Sequence, residues 1–428
     1  MKKQKLSPLE RSWILYDIGN SAFTLLASTL ISIYFGSLAD AAGILEDLYL
    51  SYWADAITIS TALLAIIAPI CGTLCDRRYK KLFFVLMVVL GCVACACLGV
   101  TTHWVAFLGI FILAKVGFNG SIVFYDSMLP EITTEERMDN VSSLGYAYGY
   151  IGSVIPFLLC LALVLFGENF GLSMGNAMIL AFLITAVWWA VFTIPLLKRY
   201  KQTAYVEKKG AALGDAFRQL GRTFKEARKE KHVFLYLIAF FFFINGVYTI
   251  IDMATAYGTS LGLNSTGLLL ALLLTQIVAF PCAIIFGKLS AKFDTGLLIK
   301  ISILCYTVIT LFGMFLMSLW QFWVLAVLVG MFQGGIQAMS RSYLGKIIKP
   351  ERSGEFFGLM DICGKGASLV GASLIALVNR LAVGMEVRIF GLTLQNENLA
   401  VGSLIILFII GFVLFCKADK LNKERTTV

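Results

Sequence analysis

The chain alternates between long apolar stretches and short polar gaps, and nearly every Lys and Arg falls in every second gap. The hydrocarbon core of a bilayer is roughly 30 Å thick, so a helix needs about 20 apolar residues to cross it. Backbone groups in that core must bond to each other, so such stretches fold as helices. The sequence therefore predicts an all-α membrane protein with twelve crossings. The predicted crossings are 12–38, 51–74, 82–101, 103–129, 140–166, 174–197, 233–260, 265–287, 297–317, 320–348, 355–379 and 398–416.

The composition excludes a soluble globular domain. Hydrophobic residues make up 59% of the chain, charged residues make up 14%, and the mean hydropathy is +0.84. The net charge of +9 reflects topology, because short cytoplasmic loops collect Lys and Arg, so we expect no nucleic-acid partner. The cysteine trio Cys92, Cys95 and Cys97 has no His or acidic companion nearby, which indicates apolar packing. We expect neither a metal site nor a cofactor.

The basic residues also predict the orientation in the membrane. If the N-terminus is inside, the basic gap at 77–81, the linker at 198–231 and the C-terminal tail fall on the same side as it does. Only Arg380 and Arg388 remain outside. Because Lys and Arg mark cytoplasmic loops, both termini are predicted to be cytoplasmic.

The longest basic gap divides the chain into two six-helix halves. The predicted domains are an N-terminal bundle over 1–197, a cytoplasmic linker over 198–231 and a C-terminal bundle over 232–428. Apolar linker residues recur at helical spacing between basic ones; they are Leu213, Ala216, Phe217, Leu220 and Phe224. This pattern fits an amphipathic helix on an anionic membrane surface, and a solvated basic linker fits it as well.

The two halves contain an internal repeat. The loop after the second crossing reads GTLCDRRYKK over 72–81, and the segment in the equivalent place after the eighth crossing reads GKLSAKF over 287–293. Ala291 stands where the first copy has Asp76. Internal symmetry between six-helix halves is typical of several transporter folds.

The first of these loops resembles the signature that the major facilitator superfamily carries between its second and third helices, although Tyr79 replaces the second glycine of that signature. Further motifs are WILYDIGNSAF at 13–23, FYDSMLPEI at 124–132, GYAYGYIG at 145–152 and the stretch 337–365. As a set they resemble the branch related to the fungal autophagy-linked vacuolar effluxer, known as the unknown major facilitator family. The resemblance spans nearly the whole chain.

This resemblance implies the major facilitator fold, with helices one, four, seven and ten around a central cavity. It implies conformational control by Asp76 and Arg77 in the loop between helices two and three. A short-loop member is expected in a bacterial plasma membrane. The fungal relatives are associated with amino-acid efflux from vacuoles, which favours amino acids as substrates and export as the direction.

Polar side chains line one face of each of four predicted helices, at steps of three and four residues. A polar or ionisable group in the membrane is costly, so each is a candidate functional residue. These are the four helices that the resemblance places around the cavity, which supports a substrate site there. The predicted substrate-binding residues are Asn20 and Thr24 on the first helix, Lys115 and Asn119 on the fourth, Asn245, Tyr248 and Asp252 on the seventh, and Gln333 and Gln337 on the tenth.

Two of these residues carry charge. Lys115 lies near the middle of its helix with Asn119 one turn away, so its ammonium group can bind a substrate carboxylate, phosphate or sulfonate or serve a structural role. Asp252 lies toward the outer end of its helix. Its carboxylate can exchange a coupling proton or bind a substrate amine, or it can remain hydrated at the cavity mouth.

The remaining charged residues are assigned to coupling or gating. Asp17, Asp126 and Arg341 lie toward the cytoplasmic ends, where they can form an inner gate or a charge network that holds the fold. Asp361 and Lys365 are four residues apart and are predicted to form an ion pair, with a ligand contact by Lys365 as the alternative.

The leading hypothesis is a monomeric secondary transporter that moves a small zwitterionic or anionic solute by alternating access. Its expected partners are a small-molecule substrate, a coupling proton and membrane lipid. A lipid or lysolipid flippase on the same fold is the alternative. The chain has no H-E-x-x-H, G-x-S-x-G or P-loop motif, so we do not expect an enzyme.

Overall fold

The computed structural model of the chain describes residues 5–44, 46–206, 228–382, 387–389 and 392–427, and it is nearly all helical. Every predicted crossing coincides with a helix or a pair of helices. In the described part of the chain, 11 helical segments are long and apolar enough to cross a membrane, judged by length and composition. The helices are α1 (Pro8–Ala27), α2 (Leu30–Ala41), α3 (Glu46–Leu74), α4 (Lys80–Cys97), α5 (Trp104–Ile132), α6 (Glu135–Phe166), α7 (Met174–Arg199), α8 (Lys231–Ser260), α9 (Ser265–Leu289), α10 (Thr295–Met314), α11 (Leu319–Ile347), α12 (Ser353–Leu381), α13 (Asn396–Gly402) and α14 (Ile405–Thr427).

Short elements complete the connections. A π-helical turn covers Cys75–Tyr79, and 3-10 turns cover Gly167–Phe170 and Pro350–Arg352. Between α12 and α13, strands β1 (Val387–Ile389) and β2 (Leu392–Leu394) pair antiparallel, a hairpin that the sequence did not predict. The apolar face predicted for the linker lies at 213–224, outside the described residues.

The first crossing is broken, so the prediction of one helix over 12–38 is wrong at its middle. Thr29 leaves the helical region, with φ −133° and ψ −89°. The hydroxyl groups of Ser28 and Thr29 both donate to the carbonyl of Leu25. Because Ser and Thr hydroxyls that bond back to the preceding turn compete with the helix ladder, the chain bends here.

The last crossing, predicted over 398–416, is broken as well. The hydroxyl of Ser403 donates to the carbonyl of Ala400 at 2.6 Å, and Leu404 N donates to Val401 O in a tighter turn. The helix then continues to Thr427, well beyond the predicted end. A salt bridge of 2.6 Å between Lys300 and Asp419 ties this polar extension to α10.

By contacts between residues, the chain forms two compact units. Unit 1 contains the described residues within 1–134, 148–217 and 350–358, and unit 2 contains those within 135–147, 218–349 and 359–428. The units therefore differ from the predicted halves in two short segments, at the starts of α6 and α12. The division at the linker itself stays a prediction.

Unit 1 is held together by close helix packing. Helix α4 packs on α5, and α1 packs on α7. A Cβ atom added to Gly117 of α5 would lie 2.6 Å from the Cα of Gly91 of α4, so glycine is required at this crossing. Gly149 of α6 allows the same approach to α1, because an added Cβ would lie 2.8 Å from Ser21 Oγ. Small residues give such contacts between membrane helices.

In unit 2, α8 packs on α14 and α9 packs on α11. Gly411 of α14 faces Phe243 of α8, and an added Cβ would lie 2.8 Å from the Phe243 Cβ. A Cβ atom added to Gly330 of α11 would lie 2.8 Å from the carbonyl oxygen of Thr275 in α9. These contacts fix the positions of the polar faces of α8 and α11.

Candidate functional site

The polar face of α1 is joined to α5 inside unit 1. The hydroxyl of Tyr125 donates to the Asp17 carboxylate at 2.7 Å, and the Tyr125 ring stacks on Trp13 with ring centroids 4.3 Å apart. Ser121, one turn before Tyr125 on α5, accepts a hydrogen bond of 2.6 Å from the hydroxyl of Tyr16. Asp17 is thus held at the α1–α5 contact. Its predicted role in gating stays a prediction.

Asn20 is the most deeply placed substrate-binding candidate of unit 1. Its side chain is 4% exposed, and its Nδ2 atom has no hydrogen-bond partner among the described residues. Asn119 on α5 is also buried. Lys115 and Asp126 are half-buried and Thr24 is exposed, so the two polar faces run from the interior of unit 1 to its surface.

Asn245 has the corresponding place in unit 2. It is fully buried; its Oδ1 accepts from Thr249 at 3.3 Å, and its Nδ2 lacks a partner in the part of the chain that the structure describes. Gln333 on α11 is buried, and its Nε2 donates to Gln276 at 3.4 Å. The other predicted residues of this unit are Tyr248 and Gln337, which are half-buried, and Asp252, which is exposed.

These two asparagines belong to a repeat that the sequence analysis missed. The first helix reads Asn-Ser-Ala-Phe-Thr over 20–24, and α8 reads Asn-Gly-Val-Tyr-Thr over 245–249. An Asn and a Thr four residues apart lie on one helix face. Aligning the two stripes would have revealed the repeat and would have added Thr249 to the predicted residues.

The loop between α3 and α4 binds the start of α12 within unit 1. The two carboxylate oxygens of Asp76 accept from Gly354 N at 2.9 Å and from Glu355 N at 3.1 Å. These N–H groups belong to the first turn of α12, where no intrahelical acceptor is available. Burial raises the pKa of Asp76 to about 7, although Lys80 opposes the rise. The Arg77 side chain lies outside the described residues.

A buried ion pair beside this loop was also missed. Lys80 and Glu131 have side chains that are 0% and 2% exposed, and they lie 2.6 Å apart. Lys80 also donates to Ser353 Oγ at 2.9 Å, and Glu131 accepts from the backbone of Thr203 at 2.6 Å. From the sequence, Lys80 is predicted only as a cytoplasmic charge, because its partner is 51 residues away along the chain.

Unit 2 has a comparable polar cluster where the start of α6 meets α11. Arg341 donates to the hydroxyl and the carbonyl of Ser142, both at 2.9 Å, and its guanidinium lies over the Tyr146 ring. Asp139, which was not predicted, accepts from Lys346 at 2.7 Å and from Ser342 at 2.6 Å. Arg341 is therefore engaged within unit 2, and its role in gating stays a prediction.

Asp361 and Lys365 form the ion pair expected from their spacing on α12. Both side chains are largely buried. The pair offsets a charge that would otherwise be costly in the membrane. A ligand contact by Lys365 stays the untested alternative.

Comparisons with known proteins agree with this architecture. Residues 48–426 match the family described as vacuole effluxer Atg22 like. The Bacillus subtilis (strain 168) protein called uncharacterized MFS-type transporter YxiO is 39% identical over 417 residues, which are 96% of this chain and 95% of that protein. Autophagy-related protein 22 of Coccidioides immitis (strain RS) is 28% identical over 275 residues, 58% of this chain and 45% of the fungal protein.

Solved structures show the same fold. The human organic anion transporter MFSD10 (TETRAN) superposes with a TM-score of 0.70 at 15% identity, over 95% of this chain and 99% of that one. The major facilitator superfamily transporter FucP in its outward conformation also gives 0.70 at 15% identity, over 96% and 98%. At this identity the likeness concerns the fold alone, and it confirms the prediction of the major facilitator architecture.

Proposed function

The chain belongs to the Atg22-like family, as a secondary transporter of the major facilitator fold and not an enzyme, and we propose that it moves a small zwitterionic or anionic solute, with amino acids as the favoured class. The transport cycle is alternating access between the two halves of the chain. The direction is export, by analogy with relatives in a family described by vacuole efflux.

The observation that carries this proposal is the pair of buried amides. Asn20 and Asn245 each bury an Nδ2 atom that has no partner among the described residues. Leaving a buried donor unsatisfied costs about 1–3 kcal/mol, so native proteins keep few such groups without a reason. A primary amide donates to carboxylate oxygens, which supports a carboxylate-bearing substrate.

Two charged residues on the predicted polar faces support a zwitterion. Lys115, one turn from Asn119 on α5, is half-buried and suits a substrate carboxylate. Asp252 on α8 is exposed and suits a substrate amine or a coupling proton. A zwitterion carries both of these complementary groups, whereas a simple anion carries only the one that Lys115 suits.

The charge pattern supports an orientation in the membrane. We place both termini in the cytoplasm, since the basic gaps mark one side. By analogy with its bacterial relative, we place the protein, as a monomer, in a bacterial plasma membrane. Its partners are the solute, a coupling proton and membrane lipid.

Thermal stability of the detergent-purified protein against a panel of amino acids, sugar phosphates and lysolipids tests the proposal. A ligand that binds only the folded state adds about 2.7 kcal/mol at a concentration of 100 times its Kd. We expect amino acids to raise the melting temperature and Asn245→Leu or Lys115→Ala to weaken that binding at least tenfold. Leu keeps the size of Asn245 and removes its donor.

Asn176→Leu is the matched control, because Asn176 is exposed at the start of α7. This variant should respond to amino acids as the wild type does. Stabilisation by lysolipids alone would replace the proposal with the flippase alternative. Stabilisation by amino acids that is equal in both site variants would remove Asn245 and Lys115 from the site.

A further inference from the structure

A cavity of about 230 Å³ lies inside unit 2, apart from the predicted substrate-binding residues. Its walls come from α8, α10, α11, α12, α13 and the segment that follows α13. It is at the end of the unit where α8 and α10 finish and α13 begins, near Ser260, Gly313 and Glu397. Neither Asn245 nor Asp252 lines it, but Thr249, which donates to Asn245, does, so the cavity adjoins the polar face of α8.

Most of the wall is apolar and would exclude water from a bound molecule. The apolar lining includes Ile250, Met253, Leu325, Ile375 and Leu404. An apolar cavity of about 150 Å³ in a protein core is large enough to bind benzene. This cavity therefore has room for one aromatic ring and a short chain.

Two neutral polar groups of the wall, the hydroxyls of Tyr257 and Thr310, are already engaged with the protein. The hydroxyl of Tyr257 donates to Gly313 O at 2.9 Å and accepts from Asn398 Nδ2 at 2.9 Å. Thr310 donates to the Tyr306 carbonyl at 2.7 Å. These groups shape the cavity and leave its polar recognition to another residue.

That residue is Glu397. Its Oε2 atom is buried and has no hydrogen-bond partner within the described ranges, and its side chain lines the cavity. Removing a carboxylate oxygen from water without a partner is costly. A cation bound in the cavity would supply charge-assisted hydrogen bonds to it.

We propose that this cavity binds a small organic cation, an arylalkyl ammonium ion. Its N–H groups donate to Glu397, and its ring fills the space between Ile250, Leu325 and Leu404. Tyr257 also lines the cavity, and an aromatic ring there can add attraction for a cation. The ammonium site rests on the cavity and Glu397, whichever solute the protein transports.

Three molecules of one skeleton test the proposal on the wild-type protein: 2-phenylethylammonium, 2-phenylethanol and 3-phenylpropanoate. Binding to the full chain in lipid nanodiscs is measured by isothermal titration calorimetry. Because such amines also enter lipid, Val401→Phe, which fills the cavity from a lining position, provides the reference for non-specific uptake. We expect saturable binding of the ammonium ion at least tenfold tighter than that of the alcohol, and no binding of the anion.

Glu397→Gln removes the charge at nearly constant shape and should weaken ammonium binding at least tenfold. Glu168→Gln, at an exposed glutamate of unit 1, should leave it unchanged. Equal binding of the alcohol and the ammonium ion would overturn the proposal and identify an apolar lipid-filled cavity. Absence of saturable ammonium binding would overturn it as well. The ligand series decides between these outcomes on the wild type even if Glu397→Gln does not fold.

Discussion

At the scale of single residues, the ion pair of Lys80 and Glu131 is buried and bonds to several neighbours, so breaking it should destabilise the protein. Glu131→Gln would remove the carboxylate that lies 2.6 Å from the Lys80 ammonium, whose side chain is fully enclosed. Removing one partner of a buried ion pair costs about 3–5 kcal/mol. We expect this loss in the free energy of unfolding of the detergent-purified protein, measured by denaturant titration.

The exposed pair of Lys420 and Glu424 is the matched control. Its side chains are 78% and 58% exposed and lie 3.8 Å apart, so Glu424→Gln should cost only about 0–1 kcal/mol. The double variant Lys80→Met/Glu131→Leu should be more stable than Glu131→Gln alone, because neither charge is then left unpaired. The losses in unfolding free energy caused by Lys80→Met alone and by Glu131→Leu alone should not add up to the loss in the double variant. If they do, the two residues do not interact.

At the scale of helices, the approach of α12 to α8 sets the position of the buried amide. A Cβ atom added to Gly371 of α12 would overlap Thr249 Oγ1 and Asn245 Oδ1 of α8. Gly371→Ala should therefore displace α12 and weaken substrate binding more than tenfold in the thermal-stability assay. Gly109→Ala on α5 is the control, since an added Cβ meets nothing within 4 Å there. Equal behaviour of the two variants would show that this contact does not shape the site.

Asp76 links the loop after α3 to the first turn of α12, and this link should depend on pH. Burial raises the pKa of the carboxyl from 3.8 to about 7, so between these values the folded protein holds a proton that the unfolded chain has released. Stability should then fall as the pH rises through this window. Asp76→Asn remains neutral. The melting temperature of the wild type minus that of Asp76→Asn should decrease from pH 5 to pH 8. An increase in this difference would mean that the α12 N–H groups and Lys80 favour the ionised carboxylate more strongly than burial opposes it.

The sequence predicts the positions of the helices better than it predicts the contacts between side chains. Apolar length and charge placement predicted the crossings because the bilayer imposes them. The breaks at Thr29 and Ser403 depend on hydroxyl groups that bond to the preceding turn, and a hydropathy pattern contains no such information. The partners of Lys80 and Asp139 come from distant segments, so spacing along the chain could not identify them. The Asn-x-x-Phe/Tyr-Thr repeat was readable from sequence and was missed.

At the scale of the whole molecule, the two units share a plan that the sequence repeat predicts only in part. Each contains a buried asparagine whose Nδ2 atom lacks a partner among the described residues. Each also contains a charged cluster around a helix start, at Asp76 in unit 1 and Asp139 in unit 2. The second copy of the loop has Ala291 in place of an aspartate, so unit 2 builds its cluster from a residue of α6 instead. The clusters are comparable, but the motif that supplies them is not repeated.

Proton coupling is a property of the complete transport cycle, and Asp252 is the residue on which we test it. Its side chain is exposed on α8, and a carboxylate can bind and release a proton, as a coupling group must. In proteoliposomes, a pH gradient should drive solute accumulation by the wild type. Asp252→Asn should keep gradient-independent counterflow, which requires only substrate binding and the conformational cycle, and should lose gradient-driven accumulation.

Asp40→Asn, at an exposed position at the end of α2, should retain both counterflow and gradient-driven accumulation. If the gradient still drives Asp252→Asn, the coupling proton is carried elsewhere; if counterflow is lost as well, Asp252 binds the substrate amine.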